Sequence, residues 1–290
     1  YLYVLNGATK DEIPRIKING RIRKVEIEND KIIYVGTFEG DVYQIDLNAR
    51  NARDQKRRIH QSNTPIKELF YNANRNQFFI VASKKVFRFE NGISTIISEN
   101  NELTASTFLP KINALLLASD QGLISNTGEK NNLIPLREID FTSEKITALS
   151  LAGDRLFVGT SLGQIYVYNV NLLTRDRVSL SFIDKIILHR SEITKLFFDQ
   201  TNNNLYSASF DNQVLKYNID LDTVGNITTS AISFIGHEKW VWDINLIKNA
   251  DGDDLIITAD ENGNLLSWFD TSEKLVAKVE NLIKLKKQEK

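Results

Sequence analysis

The chain of 290 residues holds only three histidines, and one of them stands where nucleophilic chemistry could be built. His189 precedes Ser209 by 20 residues and Asp211 by 22, and base, nucleophile and orienting carboxylate are the three groups of an acyl-transfer triad. The strained Gly-x-Ser-x-Gly elbow that presents such a serine is missing, because Ser209 stands in Ser207-Ala-Ser209-Phe-Asp211. A second candidate, Asn249-Ala-Asp-Gly-Asp-Asp254, carries the oxygen donors of a calcium loop. It places Asp254 where that loop needs Gly and Asp260 where it needs Glu, so it reads as a hairpin connection. Gly159–Gly163 lacks the Lys-Ser/Thr ending of a phosphate loop, and no Gly-rich fingerprint lies between a strand and a helix. With no cysteine at all, thiolate catalysis, disulfides and Cys-ligated zinc are excluded. The expectation is therefore no catalytic residue, no metal and no cofactor.

Charge narrows the partners further. The 36 Lys and Arg nearly cancel the 37 Asp and Glu, so no global field draws the chain to nucleic acid or anionic lipid. The run Arg50–Arg58 holds five positive charges against one Asp but no interleaved aromatics, and it reads as a solvated sheet edge. No apolar run approaches the ~18 residues of a membrane span, and no signal peptide opens the chain, so a cytoplasmic protein without a membrane partner is expected. The absence of methionine leads us to expect that Tyr1 is not a natural start and that the chain is a piece of a longer polypeptide.

The elements that position these residues repeat. Apolar anchors three residues apart occur at Ile22/Val25, Ile66/Leu69, Leu103/Ser106, Ile146/Leu149, Ile193/Leu196 and Val241/Ile244, at intervals of 44, 37, 43, 47 and 48 residues. Ser106 is the one polar exception. A second apolar strand follows each anchor, then in nearly every case a tight turn such as Glu39-Gly40, Leu162-Gly163, Asp211-Asn212 or Asn262-Gly263. Gly and Asn supply the positive φ that two-residue hairpin turns require. A third, alternating strand comes next, as in Gln213-Val-Leu-Lys-Tyr217, and a looser fourth completes the unit. Four antiparallel strands per roughly 44 residues is a β-propeller blade. The expected fold is an all-β propeller of four-stranded blades, six by count with seven possible, spanning residues 22–272.

The residues around the histidines carry a resemblance. Phe234-Ile-Gly-His237-Glu-Lys-Trp-Val-Trp-Asp-Ile244 with Leu265-Leu-Ser-Trp268-Phe-Asp270 resembles the Gly-His and Trp-Asp signatures of WD-repeat proteins. His189 with Ser209, Asp211 and Tyr217 resembles them too, in degenerate form. What the resemblance implies is a structural network in place of a catalytic triad: loop His, strand Ser or Thr, turn Asp and third-strand Trp tie a blade together. His189, Ser209, Asp211 and Tyr217 would form it in one repeat, His237 and Trp268 in the next. The ending at 236–285 is similar to the C-terminal propellers of bacterial STAND-class NTPases, which would make the chain the sensor or scaffold of a larger signalling protein.

The ends differ from the repeats. Residues 1–21 form an N-terminal segment in which Ile13–Ile18 is expected to close the ring by pairing with Leu265–Phe269. Residues 273–290 follow a capping box, Asp270-Thr-Ser-Glu273, and put Leu275, Val279 and Leu282 on one face of an amphipathic helix. The leading function is a non-enzymatic platform, monomeric as an isolated domain, that takes a protein or peptide on one ring face. Phe38, Phe210, Trp240 and Trp242 are the aromatic candidates there, with Arg21, Arg23, Lys67 and Glu192 around them, since aromatics and Arg are enriched at interface hot spots. A hydrolase or lactonase propeller is the alternative, and it would need Asp, Glu, His or Asn ligands converging on the channel.

Overall fold

The computed structural model describes residues 2–5, 12–29, 31–49, 55–99, 102–120, 124–127, 133–135, 144–174, 178–219, 231–248 and 254–269. Apart from one 3-10 turn at Pro110–Ile112, the regular elements among them are all β-strands. Strands β1 (Leu2–Leu5) and β2 (Glu12–Ile16) pair with each other. The first anchor opens a meander of β3 (Ile22–Ile27), β4 (Ile32–Thr37), β5 (Asp41–Asp46) and β6 (Lys56–Gln61). Blade 2 is β7 (Ile66–Asn72), β8 (Gln77–Ala82), β9 (Lys85–Glu90) and β10 (Ile93–Glu99); blade 3 is β11 (Leu103–Leu109), β12 (Ala114–Ser119), β13 (Ile124–Thr127) and β14 (Leu133–Pro135). Blade 4 is β15 (Ile146–Ala152), β16 (Arg155–Thr160), β17 (Gln164–Leu172) and β18 (Val178–Ile187). Blade 5 is β19 (Ile193–Asp199), β20 (Asn204–Ser209), β21 (Val214–Asn218) and β22 (Ala231–Phe234). The last sheet has three strands, β23 (Val241–Lys248), β24 (Asp254–Asp260) and β25 (Leu265–Phe269).

The count of six four-stranded blades is thus corrected to five; the sixth anchor heads a three-stranded sheet among the described residues, labelled blade 6 below. Among the described residues β2 takes β1 as its partner, with Leu2 opposite Ile16, and no described pairing joins it to Leu265–Phe269, the strand expected beside it. The C-terminal helix over 273–290 lies outside the described residues.

One local plan recurs in all six anchored sheets. The ladder between first and second strands is bulged at the residue after the anchor, between Ile22 and Lys24, Ile66 and Glu68, Leu103 and Ala105, Ile146 and Ala148, Ile193 and Lys195, and Val241 and Asp243. A bulge bends its strand and re-aims a side chain, here Arg23, Lys67, Thr104, Thr147, Thr194 and Trp242. Past the end of each second strand, a backbone N–H donates to the carbonyl just before the anchor: Phe38 to Arg21, Ser83 to Pro65, Asp120 to Glu102, Ser161 to Lys145, Phe210 to Glu192 and Glu261 to Trp240, all at 2.8–3.0 Å. The turn that follows is pinned by sterics. A Cβ on Gly40 (φ +97°) would lie 2.3 Å from the Ser62 carbonyl oxygen, and one on Gly163 (φ +79°) 2.7 Å from those of His189 and Ser191.

The core is distributed between sheets. The second strands carry apolar residues on both faces, so each cluster joins a blade to its neighbour: Tyr34 and Val42 meet Ile66, Leu69 and Phe78, while Tyr206, Ala208 and Val214 meet Val241, Ile244 and Ile256. A lone sheet would expose both faces to water, whereas sheets stacked in a circle bury them.

Candidate interaction face

Two of the three histidines sit in buried hydrogen-bond networks, and in one of them the serine differs from the one expected. His189 Nδ1 lies 2.9 Å from Asp211 Oδ2, and Nε2 lies 2.7 Å from the hydroxyl of Ser207, the position two residues before the expected Ser209. Ser207 in turn is 3.2 Å from the Tyr217 hydroxyl. Both serines face the same side of β20, because side chains alternate along a strand. Only Ser207 lies near the Tyr217 ring, whereas the Ser209 hydroxyl donates to the Ser191 carbonyl and accepts the Asp211 N–H. Because a carboxylate accepts only, the His189 Nδ1 carries a proton and donates it to Asp211. Ser207 and Ser209 have no exposed surface, so neither can meet a substrate as a nucleophile.

Blade 6 builds the same network. His237 Nε2 is 2.7 Å from Thr258 Oγ1, Nδ1 is 3.1 Å from Asp260 Oδ2, and the Trp268 indole N–H donates to Thr258 at 2.9 Å. Burial pushes the Asp260 carboxyl up, but hydrogen bonds from His237 and Asn264 outweigh it and hold the group at about 2. Asp211 is likewise held below the usual range, His189 and the Arg190 N–H overcoming its burial. His60 departs from the pattern: it lies on β6 opposite Val42, with Nδ1 2.8 Å from the Ser94 hydroxyl and its ring 4.3 Å from Phe87. It sits six residues before its anchor where the other two sit four, which leaves it inside a strand.

The expected partner residues gather at the anchor end of the blades. Arg21 lies over the Phe38 ring at 4.1 Å, with Arg23 at 5.8 Å, and Phe38 is 42% exposed. The Arg21 backbone N–H donates to Glu39 and lowers its carboxyl pKa. Phe210 stacks on Trp240 at 4.5 Å and meets the edge of Trp242 at 4.9 Å. It is half-buried between them, so it is less of a free surface residue than its turn position implies, while Trp240 and Trp242 stay 42% and 49% exposed. Trp242, Arg23, Lys67 and Glu192 line a cavity of about 630 Å³ bounded by the inner strands. Ion pairs cross between its blades: Lys24 with Glu68 at 2.7 Å, Lys67 with Glu102 at 3.4 Å and Lys195 with Asp243 at 3.7 Å. Burial and then the like charges of Arg23 and Lys145 lower the Lys67 pKa against the pull of Glu102.

No family model matches the chain and no curated protein is similar to it. Solved structures are similar in shape. Against the Cps50 (Swd1) β-propeller domain of Myceliophteria thermophila the TM-score is 0.67, at 14% identity, over 89% of this chain and 86% of that one. The chain is a β-propeller. The computationally designed Ika8 protein matches with a TM-score of 0.60, at 16% identity, over 86% of this chain and 71% of that one. At such identities the likeness is one of fold, and with 1453 solved chains matching, shape alone selects no function. None of these findings connects the propeller with a STAND-class NTPase. Among the described residues no three His, Asp or Glu side chains gather as a metal site, and no helix is long and apolar enough to cross a membrane.

Proposed function

We propose that the propeller is a non-enzymatic interaction platform and that a protein or peptide docks on the anchor-end face, across Phe210, Trp240 and Trp242 and over the mouth of the charged cavity. The observation that carries this reading is the aromatic cluster itself. Two indoles remain nearly half exposed although Phe210, a turn residue with no structural need to be aromatic, packs on both. Rigid aromatics present much apolar area at small entropic cost, and the charged ring beside them supplies orientation. The narrower reading, the sensor propeller of a STAND-type signalling protein, rests on the sequence resemblance at 236–285.

A displayed peptide library selected on the intact chain tests the face. Peptides recovered on the wild type are expected to lose about 30-fold in affinity with Trp240→Ala and Trp242→Ala together, the equivalent of about 2 kcal/mol. Ile27→Ser, at the far end of an inner strand and 65% exposed, should leave them unchanged. Equal losses from both variants, or none from the Trp pair, would overturn the proposal.

A further inference from the structure

Charge is shared unevenly around the wall of the 630 Å³ cavity. Blades 1, 2 and 4 bring three cations to it, Arg23, Lys67 and Lys145, and Glu102 of blade 3 pairs with Lys67. Two further acids of the wall are engaged by other lysines, Glu68 by Lys24 and Asp243 by Lys195. Among the described residues that leaves Arg23 and Lys145 outside any ion pair, with Glu192 as the one unpaired acid, an excess of one positive charge. Like charges gathered on one wall repel, and Lys67 shows it: burial is the first cause of its lowered pKa, and Arg23 and Lys145 both add to it. A second anion beside Glu102 would relieve that repulsion. A hydroxyl is free there as well. Thr147 and Thr194, the residues after their anchors, donate Oγ1 to the anchor carbonyl of the following sheet, Ile193 and Val241. Thr104 holds the same place in blade 3, between Lys67 of blade 2 and Lys145 of blade 4, and its Oγ1 is buried with no partner among the described residues. Turned about χ1 into the cavity, it becomes a donor between the two lysines.

We propose that this wall seats a carboxylate: an aspartate or glutamate side chain of the docked peptide enters the cavity and meets Lys67, Lys145 and Arg23, with Thr104 as a hydroxyl donor, while its neighbours lie on Trp240 and Trp242. The seat presupposes the docking face proposed above and names the chemistry that the face selects. One positive charge in excess matches a carboxylate at −1 and is overfilled by a phosphate ester, which carries about −1.5 to −2 at pH 7. A lysine or arginine in the same place would meet net repulsion, so the wall sets register and excludes basic peptides while the indoles supply apolar area. Trp242 belongs to both surfaces, since it packs on Phe210 and lines the cavity, so a residue held on the indoles has its neighbour at the charged wall.

A displayed random peptide library is selected on the intact chain and on its Lys145→Glu variant, Lys145 being exposed and outside the ion pairs described. Peptides from the wild type should carry Asp or Glu at one fixed position about threefold above the share in the library, and peptides from the variant should lose that preference. In a recovered peptide, replacing the acid by its amide should lower affinity about tenfold on the wild type and under about twofold on Lys67→Met with Lys145→Met. Peptides that need Trp240 and Trp242 but show no acidic preference would overturn the seat and leave the docking face standing. The seat is also read without any peptide. N-acetylaspartate amide, titrated at constant ionic strength, should shift the side-chain NMR signals of Lys67 and Lys145 saturably at concentrations of order millimolar, and N-acetylasparagine amide should not. Saturation by the aspartate probe with no peptide recovered would support the seat and count against the docking face. Equal shifts from both probes, or none from either, would overturn the seat whatever the library yields.

Discussion

Blades 5 and 6 hold a buried histidine by the same two hydrogen bonds and take the carboxylate from different places. In blade 6 Asp260 ends the second strand, opposite the anchor, and also caps the turn by accepting the Asn262 and Asn264 N–H groups. In blade 5 that position is Ser209, which caps the turn itself, and the carboxylate comes from Asp211 two residues on, where it accepts the Arg190 and Gln213 N–H groups. Thr37 and Thr160 occupy the same capping position in blades 1 and 4, accepting the Asp41 and Gln164 N–H groups in place of a carboxylate. The difference teaches that the turn cap is the general requirement and the histidine an addition that two blades share. What a blade needs is a fixed carboxylate within reach of Nδ1, and the loop is long enough to offer two solutions.

The largest expected effect would break that equivalence. His237→Ala and His189→Ala each take one partner from a buried carboxylate and one from a buried hydroxyl, and each should destabilise the chain by about 3 kcal/mol in urea unfolding. If one costs under about 1 kcal/mol while the other costs the full amount, the two networks are not equivalent and the tie lies elsewhere in that blade.

Acid sharpens the comparison by setting the networks against His60. Burial pushes His60 down to about 4, below its ordinary 6.5, with the Asp41 charge opposing only in part. The unfolded chain therefore binds this proton first, and stability should fall as pH drops from about 6.5 to 4. For Asp260 the folded value of about 2 lies below the ordinary 3.8, so its contribution persists above about 4 and is lost between 4 and 2. Urea midpoints against pH should thus show two falling steps on acidification, and His60→Phe should remove the upper one alone. A single step below pH 4 in the wild type would refute the assignment of His60.

Much of this was legible in the residues, for reasons that differ by element. The anchors and turns stood out because strand alternation and positive φ restrict side-chain choice locally: Gly40, Gly163, Gly263 and Asn212 all adopt φ between +68° and +97°. The choice between Ser207 and Ser209 was not legible, since both face the same way and only the pairing of Leu205 with Tyr217 decides which one meets the ring. The strand character of Ile13–Ile18 could be read but its partner could not, because strand propensity carries no information on which edge is free.

Within blade 5 a smaller change isolates the hydroxyl that distinguishes its ring from the indole of blade 6. Tyr217→Phe keeps the fully buried ring and removes the contact at Ser207, and about 1 kcal/mol of destabilisation is expected from thermal or urea unfolding. Ser207 retains His189, so a loss above about 2 kcal/mol would mean that Tyr217 orients the histidine itself.

The smallest effect separates the two turn phenylalanines. Both follow the second strand and both donate a backbone N–H to the residue before an anchor, yet their side chains meet different surroundings. Phe38 is 42% exposed with Arg21 and Arg23 over its ring, and an exposed cation–π contact contributes about 0.5–1 kcal/mol. Phe210 has an indole stacked on its face and a second at its edge, contacts that add about 0.5–1.5 kcal/mol beyond burial. Phe38→Ser should therefore lower stability by about 0.5 kcal/mol and Phe210→Ser by about twice that, with Trp fluorescence shifting only in the second variant. Equal costs with no fluorescence change would show that the aromatic cluster is not held by Phe210, and the rigid surface offered to a partner would then have to come from Trp240 and Trp242 alone.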